Sequence, residues 1–101
     1  MFGKFGDMMG KLQEMKQMAD EIKRKLDDKV VVVEAAGGDI VIEISGNRKL
    51  KNLSIAPALQ HGDKQELEEQ LLVAINKAIE KADKVNEEEM KRAATGLMPG
   101  L

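Results

Sequence analysis

The feature that most limits the fold is the stretch from Asp63 to Ala94. It holds neither proline nor glycine, and its apolar residues return every three or four positions. Leu67, Leu71, Ala74, Ile75, Ala78, Ile79, Ala82 and Val85 make one stripe, which thins to Met90 and Ala93. That period belongs to an α-helix with one buried face. At about 1.5 Å per residue, a helix over 63–94 is roughly 48 Å long. A seven-residue strand reaches only about 23 Å at 3.3 Å per residue. Strands of that length cover about half of such a helix, so the rest needs another partner. Asp63 with Glu66 resembles a capping box, with Asp in place of Ser or Thr. Gly96 fits a C-terminal stop and Pro99 cannot continue the helix.

That partner lies at the other end of the chain. Met8, Leu12, Met15, Ala19, Ile22 and Leu26 recur at alternating steps of four and three, and Met9 and Met18 widen the seam. This spacing predicts a helix over 7–28 with Asp7 as N-cap. Between the helices three strands are expected within 30–55. Val30 to Ala36 is rich in valine. Gly37-Gly38 suits a tight turn. Asp39 to Ser45 alternates, with Ile40, Ile42 and Ile44 on one face, and Gly46-Asn47 is a second turn signal. Arg48 to Ile55 sets Leu53 and Ile55 on one face but Leu50 out of parity, which predicts a bulge near Lys51. Pro57 ends the strand.

The order predicts an α+β fold: helix, three-stranded antiparallel meander, long helix. The 101 residues fit one domain over 1–101, with a tail at 95–101. If the helices pack antiparallel, Met8 lies near Ala93 and Ile22 near Ile79, making a projecting two-helix arm with both termini at its tip. A three-stranded sheet keeps two open edges, and the 30–36 strand is apolar on both faces. A symmetric dimer answers both problems. Its candidate interface residues are Val30, Val31, Val32 and Val33, with Ile40 and Ile42 on the neighbouring strand.

Much chemistry is missing. Without cysteine there is no disulfide, thiolate metal site or thiol nucleophile. His61, the single histidine, sits in a loop beside Gly62 and reads as solvated. Ser45, Ser54 and Thr95 show no nucleophile-elbow context. Gly37-Gly38 precedes neither Lys-Ser/Thr nor a helix, so it is no phosphate loop. Phe2 and Phe5 are the only aromatic residues, too few for a base-stacking platform. These absences argue against an enzyme, a cofactor, a metal or a small-molecule substrate. The opening residues lack the apolar run of a signal peptide and no segment is long enough to span a membrane, so a cytoplasmic location is expected.

Basic residues remain. The net charge is −2, so any phosphate-binding patch must be local. In the hairpin arrangement Lys4 and Lys11 meet Lys91 and Arg92 at the arm tip, with Lys16 and Lys84 further along the arm. These six are the candidate DNA-binding residues. The same lysines also suit a solvated face laced with pairs such as Glu80 with Lys84 and Glu87 with Lys91.

Several stretches together resemble the YbaB/EbfC family of bacterial nucleoid-associated proteins. They are Gly37-Gly38-Asp39-Ile40-Val41, Ser45-Gly46-Asn47, Leu53-Ser54-Ile55-Ala56-Pro57, Leu71 to Ala78, and Gly96 to Leu101, with the opening Met1-Phe2-Gly3-Lys4. Their order and spacing carry the likeness; Ala56 stands where the family commonly has Asp. The resemblance implies a homodimer with helical arms on a shared β body. It also implies largely sequence-independent binding of double-stranded DNA, a place in the nucleoid, and a role in nucleoid organisation or gene regulation. An alternative from another class is a dimeric protein-interaction module that docks a partner helix on the Met-rich face of the first helix.

Overall fold

The computed structural model describes residues 2–97, with side chains from Gly6 to Gly96. The elements are α1 (Phe2–Asp28), β1 (Val30–Ala35), β2 (Ile40–Ser45), β3 (Leu50–Ile55), α2 (Pro57–Gln60) and α3 (Lys64–Leu97). The strands form one antiparallel sheet in the order β1-β2-β3. The fold is α+β, in the expected order.

Alternation places the core. Val31, Val33 and Ala35 pair with Ile44, Ile42 and Ile40 on one face of the sheet. Across β2, Ile42 pairs with Leu53 and Ile40 with Ile55. The register then slips: Glu43 faces Asn52, but Ile44 faces Leu50, leaving Lys51 as the extra residue. This bulge returns Leu50 to the apolar face despite its parity. Onto that face α3 lays Ala74, Ala78 and Ala82, four residues apart and so on one helix side, against Val33, Ile40, Ile42 and Ile44. The alanines let the helix approach the sheet closely. Because α3 runs over β1 and β2, Leu50 and Leu53 on β3 stay nearly half exposed.

The tight turn at Gly37-Gly38 forms as a 3-10 segment, Ala36–Gly38, with φ of 68° at Gly37 and 96° at Gly38. Three element ends differ from the sequence reading. Helix α1 begins at Phe2, so Asp7 is an interior residue and not the N-cap. Gly6 and Gly10 weaken a helix by about 1 kcal/mol each without stopping it. Helix α3 runs past Gly96 to Leu97, while the expected break at Pro99 lies outside the described residues. A four-residue helix, α2, follows Ile55 where only a strand end was expected. Pro57 sits in its first turn after an extended Ala56, as suits a helix start, and Gln60 Nε2 donates to Ile55 O at 2.6 Å. Asp63 does cap α3, its Oδ1 accepting from the Gln65 N–H at 3.3 Å.

The molecule measures 70 × 24 × 19 Å, with a radius of gyration of 19.8 Å. A compact chain of this length has about 13 Å. The excess comes from the helices running beyond the sheet.

Candidate nucleic-acid interface

The arm is set by one turn. Between β2 and β3, Ser45-Gly46-Asn47 enters the junction of α1 and α3. The Gly46 N–H donates to Leu26 O at 3.0 Å and Lys29 O at 2.9 Å, capping the end of α1. Asn86 Nδ2 of α3 donates to Gly46 O at 3.1 Å. Asn47 Nδ2 donates to Lys23 O at 2.8 Å and Asp27 Oδ1 at 2.6 Å. Buried Ser45 accepts at Oγ from the N–H groups of Asn47 and Lys49. Lys29 Nζ lies 2.8 Å from Glu89 Oε2, and the Glu89 side chain is almost fully enclosed. The hydrogen bond from Lys29 holds the Glu89 carboxyl below its usual range, against the opposing pull of burial. The Asn47 hydrogen bond does the same for Asp27, assisted by the charges of Lys49, Lys51 and Lys23.

These contacts fix a helix register that the sequence reading missed. Leu26 faces Val85 across Gly46. A cleft of about 260 Å³ then follows between Met15, Met18 and Ile22 on α1 and Met90, Ala93 and Ala94 on α3. Ile22 therefore lies beside Met90 and Ala93, not Ile79. The cause is the length of α3 over the body: it stays on the sheet to Ala82 and reaches α1 only at Val85. As a result Ala93 and Ala94 lie beside Met15, and α1 residues 6–17 are all exposed.

The expected cluster of Lys4, Lys11, Lys91 and Arg92 does not form. Arg92 lines a hollow with Met18, Glu21, Ile22 and Lys25, and its Nη1 lies 3.8 Å from Glu89 Oε2. Lys11 is roughly 14 Å farther out along α1 at 1.5 Å per residue. Lys11 and Lys16 are exposed on α1, and Lys84 and Lys91 on α3. Lys4 sits in the first turn of α1, where only the backbone is described.

Two basic groupings emerge instead. On α3, Lys77, Lys81, Lys84 and Lys91 are spaced four, three and seven, which puts them on one helix face. Lys77 is tied to the sheet, donating to Glu34 O at 2.8 Å; Lys81, Lys84 and Lys91 point to solvent. Glu88 interrupts the row, but Glu80, Asp83 and Glu87 lie together on a neighbouring face. Asp83 there pairs with Arg48. The charges are interleaved, with Lys84 four residues from both Glu80 and Glu88 and Lys91 four from Glu87, while Lys81 has no carboxylate one turn away on α3. The spacing of Lys81 was the signal for its membership. At the arm base, Lys23, Lys49 and Lys51 gather around Asp27. Only the fold brings this second group together.

Of the six proposed interface residues, Val33, Ile40 and Ile42 are buried in the chain's own core, and Val31 is half-buried. Val30 and Val32 face out from the other side of the sheet, 47% and 54% exposed. Among the described residues there is no group of His, Cys, Asp or Glu able to hold a metal ion, and no helix is long and apolar enough to cross a membrane.

Residues 1–97 match the model of the YbaB/EbfC DNA-binding family. The chain belongs to this family. A nucleoid-associated protein of Flavobacterium johnsoniae is 42% identical over 94 residues, covering 93% of this chain and 88% of the relative. Nucleoid-associated proteins of Chlorobium phaeovibrioides and Legionella pneumophila are each 30% identical, covering 92% and 91% of this chain and 84% and 82% of theirs. The crystal structure of an uncharacterised Helicobacter pylori protein superposes with a TM-score of 0.64 at 24% identity, over 86% of this chain and 98% of the other. The Helicobacter pylori neighbour shares the fold.

Proposed function

We propose that this YbaB/EbfC chain is a homodimeric, non-catalytic protein that binds double-stranded DNA largely regardless of sequence and works on the bacterial nucleoid. The observation that carries this reading is the lysine row on a projecting arm. Lys81, Lys84 and Lys91 follow one face of α3, and Lys11 and Lys16 are exposed farther out on α1. Lysines so placed meet phosphates, release counterions and carry no base preference of their own. The dimer reading is supported by β3. Its apolar face, with Leu50 and Leu53, lies open beside α3. Leu72 is 64% exposed and lies three helical turns before Asp83, on the same helix side. Asp83 reaches Arg48 next to β3, so Leu72 belongs to the same open flank. A second copy placed there by a two-fold axis covers both flanks at once. It also gives one particle two arms, which multiplies a modest affinity.

The test is binding to two unrelated duplexes of equal length, followed by fluorescence anisotropy. The reading predicts matching Kd values within a few-fold. It predicts weakening by about a thousandfold between roughly 50 and 200 mM salt if two arms engage six phosphates. Absence of binding at low salt contradicts it.

A further inference from the structure

Methionine is confined to the two long helices and the chain ends. The chain has 7, and none lies between Ala19 and Glu89. The body packs instead with Val33, Ile40, Ile42, Ile44 and the α3 alanines. Among the residues with described side chains, Met8, Met9, Met15 and Met18 stand on α1 and Met90 on α3. The chain has no cysteine, tryptophan or tyrosine, so its thioethers are the groups that a peroxide oxidises first.

Two properties coincide at the arm. Met15 and Met90 are 57% and 53% exposed, so an oxidant reaches them without any opening of the fold. They also make the joint. With half-buried Met18, and with Ala19, Ile22, Ala93 and Ala94, they line the cleft of about 260 Å³ where α1 meets α3. Packing alone does not call for methionine there, since leucine has a similar volume and helix propensity. Sulfoxidation turns a flexible apolar side chain into a polar one. The side chains lining that cleft offer no polar group to bond the new oxygen. Met18 alone also borders the hollow of Lys25 and Arg92. At Met15 and Met90 the oxygen stays hydrated only if the helices part, because an unbonded polar group in an apolar site is costly.

We infer that Met15, Met18 and Met90 form an oxidation site through which a peroxide loosens the arm while the body stays folded. The sulfur of each thioether loses two electrons and takes one oxygen of hydrogen peroxide. The O–O bond breaks, an S–O bond forms, and the other oxygen leaves with both protons as water. Sulfoxide reductases reverse the change. The inference is independent of what the arm binds.

The experiment treats the full chain with hydrogen peroxide, then follows it by peptide mass spectrometry and amide hydrogen exchange. Expected is one added oxygen at Met15 and at Met90. Exchange over 15–22 and 90–94 should quicken by about tenfold or more, the effect of one unbonded polar group in an apolar site, while amides over 30–55 keep their rates. Reductases for both sulfoxide epimers should restore the slow exchange. The variant Met15→Leu, Met18→Leu, Met90→Leu keeps the cleft apolar and still takes up oxygen at Met8 and Met9. Its arm should exchange alike before and after peroxide. No oxygen at the cleft sulfurs, exchange unchanged by oxidation, or equal loosening of the treated variant overturns the inference. So does exchange that rises by the same factor over 30–55, which is unfolding of the whole molecule. The test contains no DNA, so its failure leaves the DNA-binding reading standing.

Discussion

Gly46 sits where no side chain fits. A Cβ there would lie 2.7 Å from Leu26 Cδ2, 3.2 Å from Leu26 O and 3.2 Å from Val85 Cγ1. Its φ is outside the left-handed region, so the constraint is close approach and not backbone strain. Gly46→Ala should cost about 1–3 kcal/mol, the usual penalty for overpacking, read as a lower urea midpoint. An unchanged midpoint shows that the helices can part at no cost. The neighbouring ion pair gives a pH prediction. Lys29 holds the folded Glu89 pKa below the ordinary 4.5. The pair therefore contributes fully above that value, and its contribution disappears as pH falls through the folded pKa. Unfolding midpoints should drop between about pH 5 and pH 3, and Glu89→Gln should flatten that drop while lowering stability at pH 7. Asp27 acts in the same direction, so some acid sensitivity survives in the variant.

At the scale of elements, α1 carries one seam with two fates. Leu26 is 2% exposed and Leu12 is 62% exposed, although the sequence spacing treats them alike. Leu26→Ala should cost about 2–5 kcal/mol, and Leu12→Ala should stay within about 0.5 kcal/mol, both by urea denaturation. Similar destabilisation at the two sites shows that α3 covers the whole of α1. This pair also marks how far the sequence could be read. Periodicity revealed the two long helices, three strands, the core face of β2 and the bulge at Lys51, because each is a local pattern, but not the four-residue α2, too short to show a period. It could not reveal where α1 meets α3. That register depends on Gly46 packing between Leu26 and Val85, a junction of three distant stretches. An arm register displaced by about three turns separated Lys4 and Lys11 from Lys91 and Arg92. The same displacement exposed Met8, Met9 and Leu12. The basic group of Lys23, Lys49 and Lys51 was hidden for the same reason. In the body, alternation marked Val33, Ile40 and Ile42 as apolar but could not say whether α3 or a second copy covers them.

At the scale of the molecule, a body with an open flank carries an arm that doubles its length. The flank of Leu50, Leu53 and Leu72 is the proposed contact between copies. Leu53→Glu with Leu72→Glu places charge at the centre of that contact and little in the protomer core. Sedimentation equilibrium should show the mass of two chains for the wild type and one for the variant. A variant that keeps the mass of two chains moves the interface elsewhere, with Val30 and Val32 the next surface to test. In the proposed dimer, two arms on one particle would let modest lysine rows act together, so that a chain of net charge −2 could hold a polyanion. The central claim is that the exposed row on α3 neutralises phosphates. It is tested most directly by the slope of log Kd against log salt on one generic duplex, comparing the wild type with Lys81→Gln, Lys84→Gln, Lys91→Gln. The account predicts weaker binding to every duplex and a slope shallower by about 0.9 for each phosphate that is no longer neutralised. A slope and affinity unchanged from the wild type contradict it.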